Sequence, residues 1–257
     1  MSIKIGSLFA GIGGFELGLE RAIPGAQTIW QVEQNAFCQS ILQKHWPHAQ
    51  LFDDVCAVGA HNLPPVDILC GGFPCQDISL AGKGEGLNGK KSSLWFEMRR
   101  IISELRPSIV IMENVAAITI RGLSTVLADL AELRYDAEWC IISARDFGAP
   151  HLRKRWFCVA YPNRSGLQKT RTKQQTTRHK QHRKLCSTLR SKNHTKDAPV
   201  KPAICRNDYG FSAKLDKERI MSLGNAIVPQ CSQWIGEQVL SSGLLDEHYN
   251  RICEASK

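Results

Sequence analysis

The sequence lacks the features that mark membrane and exported proteins. No uninterrupted apolar run among its 257 residues approaches the ~18 residues of a membrane span. Its first residues do not show the charged and then apolar pattern of an export signal. We therefore predict a protein without membrane association that stays in the cytoplasm, a reducing compartment.

The chain also has no Cys-x-x-Cys pair, although it contains ten cysteines. Their irregular spacing does not fit a disulfide framework or a zinc ribbon, so we predict no metal site. His179, His182 and Cys186 are interpreted as scattered side chains of a basic stretch. Most of the thiols are expected to be buried and to behave as small apolar residues, which leaves room for one that is reactive.

Acidic residues are nearly absent between residues 164 and 201, where twelve lysines and arginines accompany a single acid, Asp197. The formal charge of the whole chain is only +9, so the basicity belongs to this stretch and the remainder is close to neutral. A concentrated cationic stretch suits a polyanion, because each phosphate that it neutralises releases condensed counterions. The alternative is a solvated insert without a binding role.

Outside this stretch, short apolar runs alternate with amphipathic ones. This alternation predicts an α/β domain of three layers with a largely parallel sheet, which binds ligands at the carboxyl ends of its strands. The predicted strands are 3–9, 28–32, 66–70, 109–112, 137–142 and 156–161, and the predicted helices are 14–21, 36–44, 92–105, 123–133, 214–223 and 230–240.

A glycine-rich turn follows the first predicted strand, at residues 10–14. Such a turn lets the backbone approach a ligand at a helix N-terminus. Glu33 ends the second strand, where a carboxylate can accept both hydroxyls of a ribose, and Asp54 is placed to accept from an adenine amino group. These features alone are equally compatible with a nicotinamide-binding unit, or with a structural turn.

Cys75 follows the third predicted strand in the sequence Gly-Gly-Phe-Pro-Cys-Gln, and Glu113 ends the next strand. Adjacent parallel strands would place this thiol and this carboxyl across one crevice. His151, Arg153 and Arg155 alternate before another strand and would point the same way. Thiol, carboxyl and arginine together suit the addition of a thiolate to an electron-poor ring, and a nearby arginine would favour the thiolate.

With these motifs, the chain resembles the DNA cytosine-5 methyltransferase family, in its compact phage and bacterial form. Six motifs occur in the order usual for that family and cover residues 1–161 and 217–240. They are the sequence Phe-Ala-Gly-Ile-Gly-Gly at 9–14, the acids Glu33 and Asp54, Gly-Phe-Pro-Cys-Gln at 72–76, Glu-Asn-Val at 113–115, Arg153-x-Arg155, and Gly-Asn-Ala-Ile-Val-Pro at 224–229.

The resemblance implies a Rossmann-like methyltransferase fold that uses S-adenosyl-methionine. It further implies a catalytic and cofactor-binding domain at 1–161, a small basic target-recognition insert at 162–213, and a C-terminal segment at 214–257 that returns to the catalytic domain. The implied catalytic residues are Cys75 as nucleophile, Glu113 as the acid on the ring nitrogen, Arg153 beside the catalytic loop and Arg155 on the cytosine oxygen. The implied cofactor-binding residues are Phe9, Gly11, Gly13, Glu33, Asp54, Leu94 and Asn225.

The implied partner is duplex DNA, from which the target base is extruded, because attack on the ring requires access that the stacked duplex denies. A monomer is expected, with a restriction endonuclease as a functional pairing and a bacterial or phage-infected cytoplasm as the location. Two departures stand out: His151 occupies a position that is usually Gln, and the interval between Tyr161 and Gly224 is short. Alternatives are a non-catalytic DNA-binding protein, a nicotinamide oxidoreductase and a transfer-RNA cytosine methylase of the same family.

Overall fold

A computed structural model describes residues 2–74, 94–163 and 221–245 of the chain. Its centre is a seven-stranded sheet with the spatial order β3-β2-β1-β4-β5-β7-β6. The strands are β1 Ile3–Leu8, β2 Ala26–Val32, β3 Gln50–Phe52, β4 Ile68–Gly72, β5 Ile109–Val115, β6 Tyr135–Ser143 and β7 Lys154–Pro162.

One strand runs against the others. The pairs β1–β2, β2–β3, β1–β4 and β4–β5 are parallel, whereas β7 is antiparallel to both of its neighbours, β5 and β6. The sheet is therefore largely parallel, as predicted. Because β7 is reversed, its first residues lie at the edge where the parallel strands end, and this brings Arg155 opposite Val115.

Helices cover both faces of the sheet and complete the three predicted layers. On one face, α3 and α5 pack on apolar side chains of alternate strand positions, such as Leu69 and Val110; on the other face, α1 and α6 pack on the intervening positions, such as Ile68 and Ile111. The helices are α1 Gly14–Ala22, α2 Ala36–His45, α3 Leu94–Leu105, α4 Ile118–Arg121, α5 Leu123–Glu132 and α6 Pro229–Ser241.

Small residues allow α6 to lie close to α1. A methyl group added at Gly18 would come within 2.0 Å of Ser232 Oγ, and one at Gly236 within 2.7 Å of the Ala22 side chain. The hydroxyl of Ser232 donates to the carbonyl of Gly14 at 2.9 Å. The segment that precedes α6 is thereby held beside the glycine-rich turn.

All six predicted strands are present, with shifted ends. The structure adds the short strand β3 and the single-turn helix α4, and it extends β5 to Val115, so that Glu113 lies inside the strand. Of the predicted helix at 214–223, the described residues from 221 onward are helical and continue to 225. Within the described ranges, no helix is long and apolar enough to cross a membrane, and no cluster of three or more His, Cys, Asp or Glu side chains is arranged to hold a metal ion.

Candidate active site

The glycine-rich turn lies where β1 ends, and its backbone bends through the left-handed region. Phe9, Gly11 and Gly13 all have positive φ, of 55°, 58° and 84°. A methyl group at Gly11 would meet no atom within 4 Å, whereas one at Gly13 would lie 2.3 Å from the ring of Trp46. Both glycines were expected to let a ligand approach the backbone. In the structure Gly11 faces open space, as expected, whereas Gly13 is glycine because Trp46 leaves no room for a side chain.

Glu33 follows β2 and turns its carboxylate toward this glycine-rich turn. One oxygen accepts the N–H of Gly11 at 2.7 Å, and the other accepts the N–H of Asn35 at 2.8 Å. An ionised carboxylate offers about four acceptor positions, so both oxygens retain the capacity to accept further donors. Since β1 and β2 are adjacent and parallel, the sheet itself brings Gly11 and Glu33 to one edge.

Asp54 lies two residues beyond β3 at the same edge, with an exposed side chain. One carboxylate oxygen accepts the N–H of Cys56 at 2.8 Å and caps a short 3-10 turn at Val55–Ala57. This contact stabilises the turn. The other oxygen is the one placed to meet an external donor.

The end of β4 is fixed against β5 by two contacts. Gly72 pairs with Glu113 in the parallel register, and a methyl group on Gly72 would come within 2.9 Å of a Glu113 carboxyl oxygen. Glycine is therefore needed for the carboxyl to fit. One residue further, Asn114 Nδ2 donates to the carbonyl of Phe73 at 3.2 Å. The predicted nucleophile, Cys75, lies outside the described residues, two positions beyond this anchored carbonyl.

Glu113 and Arg155 form an ion pair at this edge, with 2.8 Å between Arg155 Nε and Glu113 Oε1. The two residues are diagonal neighbours on one face of the antiparallel β5–β7 pair. Burial raises the pKa of Glu113 to about 7, even though the positive charges of Arg155 and Arg153 act to lower it. A carboxyl with this pKa exchanges a proton near neutral pH, which suits a group that must supply one.

Arg153 is close to Glu113 but makes its hydrogen bonds elsewhere. Its guanidinium donates to the carbonyls of Gly224 and Ala226, both at 2.6 Å, and its backbone has a positive φ of 29°. Burial lowers the pKa of this guanidinium. In the described part of the chain, Arg153 thus joins the start of β7 to the segment before α6; a contact to the catalytic loop stays a prediction.

A cleft of about 850 Å³ opens beside these groups, between the glycine-rich turn, the start of β7 and the segment before α6. His151, Arg153 and Arg155 all line it, in agreement with the predicted common direction. The cause differs from the predicted one, because β7 begins only at Lys154. The remaining lining residues are Ile12, Gly13, Gly14, Leu17, Leu223, Gly224, Ala226, Ile227, Val228 and Pro229.

Two other predicted residues lie at different depths. Leu94 begins α3 and packs, partly buried, against the core that contains Trp95. Asn225 has an exposed side chain, while the backbone on either side of it lines the cleft and accepts from Arg153.

Residues 3–220 match a family model described as C-5 cytosine-specific DNA methylase. The chain belongs to this methylase family. Among curated relatives, it is 33% identical over 165 residues to the type II methyltransferase M.HhaI of Haemophilus parahaemolyticus, covering 63% of this chain and 50% of that one. It is 35% identical over 169 residues to M1.ScrFI of Lactococcus lactis subsp. cremoris, covering 63% and 42%. The chain thus spans about half the length of these relatives.

Solved structures give the same fold. A DNA modification methyltransferase encoded within an E. coli prophage superimposes with a TM-score of 0.54 and 27% identity, over 65% of this chain and 49% of that one. A DNMT2 variant of Spodoptera frugiperda superimposes with a TM-score of 0.51 over 67% and 54%, and at 22% identity it supports the fold alone. The predicted Rossmann-like methyltransferase fold and the predicted family are confirmed.

Sequence reasoning passed over two residues at this site. Asn114 was quoted within a motif without a role, yet its amide holds the backbone that leads to Cys75. Trp95 was given no role, yet its ring packs against Phe73 with 5.2 Å between centroids. Their positions in the sequence could have indicated a role, because each is adjacent to a predicted site residue.

Proposed function

We propose that this protein is a DNA cytosine-5 methyltransferase, which transfers a methyl group from S-adenosyl-methionine to carbon 5 of cytosine in a specific duplex sequence. The observation that carries the proposal is the Glu113 carboxyl. It is buried, has a pKa near 7, is paired with Arg155, and packs against Gly72 three residues before Cys75. The family supplies the reaction class, and these residues supply the means.

In this mechanism the Cys75 thiolate adds to carbon 6 of the flipped cytosine, while Glu113 gives its proton to ring nitrogen 3. The resulting enamine makes carbon 5 nucleophilic. Arg155 has further N–H groups beyond the one that faces Glu113, and it would donate one of them to the cytosine oxygen. Once carbon 5 has taken the methyl group, a base from the solvent removes the carbon-5 proton and the carbon–sulfur bond breaks, so that Cys75 leaves as a thiolate. Nitrogen 3 returns its proton to Glu113, and the ring regains its aromatic character.

S-adenosyl-methionine, when bound, supplies the electrophilic methyl group. The residues at the glycine-rich turn suit it: Gly11 leaves open space, the Glu33 carboxylate stands beside it with acceptor capacity for ribose hydroxyls, and Asp54 presents an exposed carboxylate that suits an adenine amino group. Phe9, Gly13, Leu94 and Asn225 complete the proposed cofactor-binding set. Gly13 would contribute through its helix N-terminus, since its α-carbon faces Trp46.

Duplex DNA is the proposed partner. The basic stretch at 164–201 would neutralise phosphates, within an insert that we place at residues 162–213 between the catalytic domain, 1–161, and the returning segment, 214–257. We also propose a monomer, because one base is attacked by one site. Since the relatives are named as type II methyltransferases, a functional pairing with a restriction endonuclease is part of the proposal.

Covalent trapping tests this function. The full chain is incubated with S-adenosyl-methionine and duplex DNA that carries 5-fluorocytosine, in which fluorine replaces the proton that must leave. We expect an adduct stable to denaturing electrophoresis, with Cys75 identified by mass spectrometry, and none with Cys75→Ala. Absence of any adduct on a library of duplex sequences contradicts the proposal. An adduct that forms only with RNA would mean that the protein is an RNA methylase. Bisulfite sequencing of DNA from expressing cells then identifies the target sequence.

A further inference from the structure

The peptide that leads from β4 to the nucleophile is held by a buried aromatic contact. Phe73 is almost completely buried, and its ring lies 5.2 Å from the ring of Trp95, centroid to centroid, at an angle of 49°. Trp95 is wholly buried in the first turn of α3. The position of Phe73, and with it the direction in which the chain leaves the sheet, therefore depends on the position of one indole ring.

The indole is itself fixed from α5. Its Nε1–H donates to Asp129 Oδ2 at 2.6 Å, and the other oxygen of Asp129 lies 3.3 Å from Nε of Arg99, one turn along α3. The Asp129 side chain is only 15% exposed, so this bond is largely shielded from water. A charge-assisted bond in such a place is stronger and more directional than a neutral one.

A hydrogen bond on the other side completes the arrangement. Asn114 lies in β5. Its side-chain Nδ2 donates to the Phe73 carbonyl, and its side-chain Oδ1 accepts the N–H of Val115. Phe73 is thus held through its ring by α3 and α5, and through its backbone by β5. Both holds act two residues before Cys75.

We propose that Trp95 and Asp129 are positioning residues, which set the attack geometry of the Cys75 thiol through the ring of Phe73. The inference rests on the proposed function. The indole bond to Asp129 prevents rotation of Trp95, Trp95 fixes the Phe73 ring, and the fixed ring sets the direction of the backbone that leads to the nucleophile. Displacement of a reacting atom by about 1 Å is enough to cost on the order of 100-fold in rate, so a bond remote from the substrate governs the addition step.

The test measures the rate of adduct formation in a single turnover, with enzyme in excess over 5-fluorocytosine DNA at saturating S-adenosyl-methionine. Asp129→Ala leaves the indole without its acceptor, and Trp95→Phe keeps an aromatic ring but removes the donor. We expect both to slow adduct formation about tenfold or more, with unchanged affinity for S-adenosyl-methionine. Asp129→Asn retains an oxygen that accepts from the indole, and it should restore most of the rate.

Glu132→Gln is the matched control. Glu132 lies on the same helix and pairs with the same Arg99, at 2.8 Å, but it is 67% exposed, and the acceptor of the Trp95 indole is Asp129. We expect adduct formation at the wild-type rate. All variants are compared at a temperature at which each is folded by circular dichroism.

The outcomes separate this inference from the function on which it rests. If the wild type forms no adduct, the proposed function fails. If the wild type forms the adduct and Asp129→Ala does so equally fast, or if Asp129→Ala and Glu132→Gln are slowed equally, the positioning role is wrong. Should Asp129→Ala not fold, Trp95→Phe gives the same decision, since a wild-type rate in that variant also contradicts the proposal.

Discussion

Two buried carboxyl groups, Glu16 below the glycine-rich turn and Glu113 at the end of β5, reach the same pKa of about 7 in different ways. In both, burial raises the pKa. Glu113 has two arginines that oppose this rise, whereas at Glu16 only hydrogen bonds oppose it, such as the one that the Gln31 amide donates at 3.1 Å, and the charge of Glu20 adds to it. A perturbed pKa is therefore shared by both regions and does not by itself identify the catalytic group.

The surroundings distinguish them. Glu16 lies over a row of side chains on three adjacent strands, since Ser7 pairs in register with both Gln31 and Cys70. This row is closed to solvent. Glu113 is 8% exposed, and its partner Arg155 lines the cleft beside the carboxyl edge. A proton on Glu113 has a route to a ligand, and a proton on Glu16 has none, so we assign the catalytic role to Glu113 and none to Glu16.

The largest expected effect is a difference in catalytic activity between variants of the two carboxyls. Glu113→Gln keeps the shape of the side chain but has no proton to give, and we expect methyl transfer to fall by about 10²- to 10⁴-fold, the usual contribution of general acid catalysis. Glu16→Gln should retain activity within a few-fold. Labelled methyl transfer to DNA measures both. Comparable losses in the two variants, with both folded, would mean that the assignment of roles is wrong.

The pH dependence of stability gives the next largest effect. Because the pKa of Glu16 is about 7 in the fold and about 4.5 when exposed, the unfolded state loses this proton first as pH rises. Its burial therefore lowers the free energy of unfolding progressively between pH 4.5 and 7, by on the order of 3 kcal/mol in total. Above pH 7 the cost is constant.

Glu16→Gln removes that titration. The unfolding free energy of the variant, from urea titrations at pH 5, 6, 7 and 8, should rise relative to wild type across this window and then level off. Both proteins retain the contribution of Glu113, which has the same sign, so the difference between them isolates Glu16. A difference that does not change with pH would show that Glu16 is ionised in the fold.

How far the sequence predicts this edge of the sheet depends on what each residue contacts. The alternation of strands and helices predicts a largely parallel sheet, and it places Glu33 and Glu113 at one edge because parallel strands end together. The order of the strands was not predicted. The local sequence pattern does not predict that β7 is antiparallel to its neighbours, and this reversal places Arg155 beside Glu113. Gly13 was misread for a similar reason: its neighbour Trp46 is 33 positions away, and only the folded chain shows that contact.

A smaller effect concerns the two arginines. Arg155 opposes the raised pKa of Glu113 more strongly than Arg153 does. Arg155→Gln should therefore raise this pKa further and move the alkaline limb of kcat/KM to higher pH, while lowering the rate at the optimum. Arg153→Gln should move the limb in the same direction but less. pH–rate profiles of the wild type and the two variants measure these shifts. A larger shift in Arg153→Gln than in Arg155→Gln would contradict the assignment of Arg155 as the main partner of Glu113.

The smallest expected effect concerns the hydrogen bond from Gln31 to Glu16. Gln31→Met removes the amide that donates to Glu16, and we expect a loss of about 1 kcal/mol in unfolding free energy. The bond favours the ionised carboxylate, so the loss should be greater at pH 8 than at pH 5. Gln39→Met is the control, because Gln39 donates at 2.6 Å to the backbone carbonyl of Glu33, which does not titrate.

The Gln39 variant should lose a similar amount at both pH values. If Gln31→Met is equally pH-independent, its amide does not sense the charge of Glu16, and the two carboxyls differ less than their neighbours suggest. If the pH dependence appears, then the Gln31 hydrogen bond lowers the pKa of Glu16 just as the two arginines lower the pKa of Glu113. Burial raises the pKa of both carboxyls. The difference in function then lies in access to the cleft, which is a property of the strand ends and not of the acid.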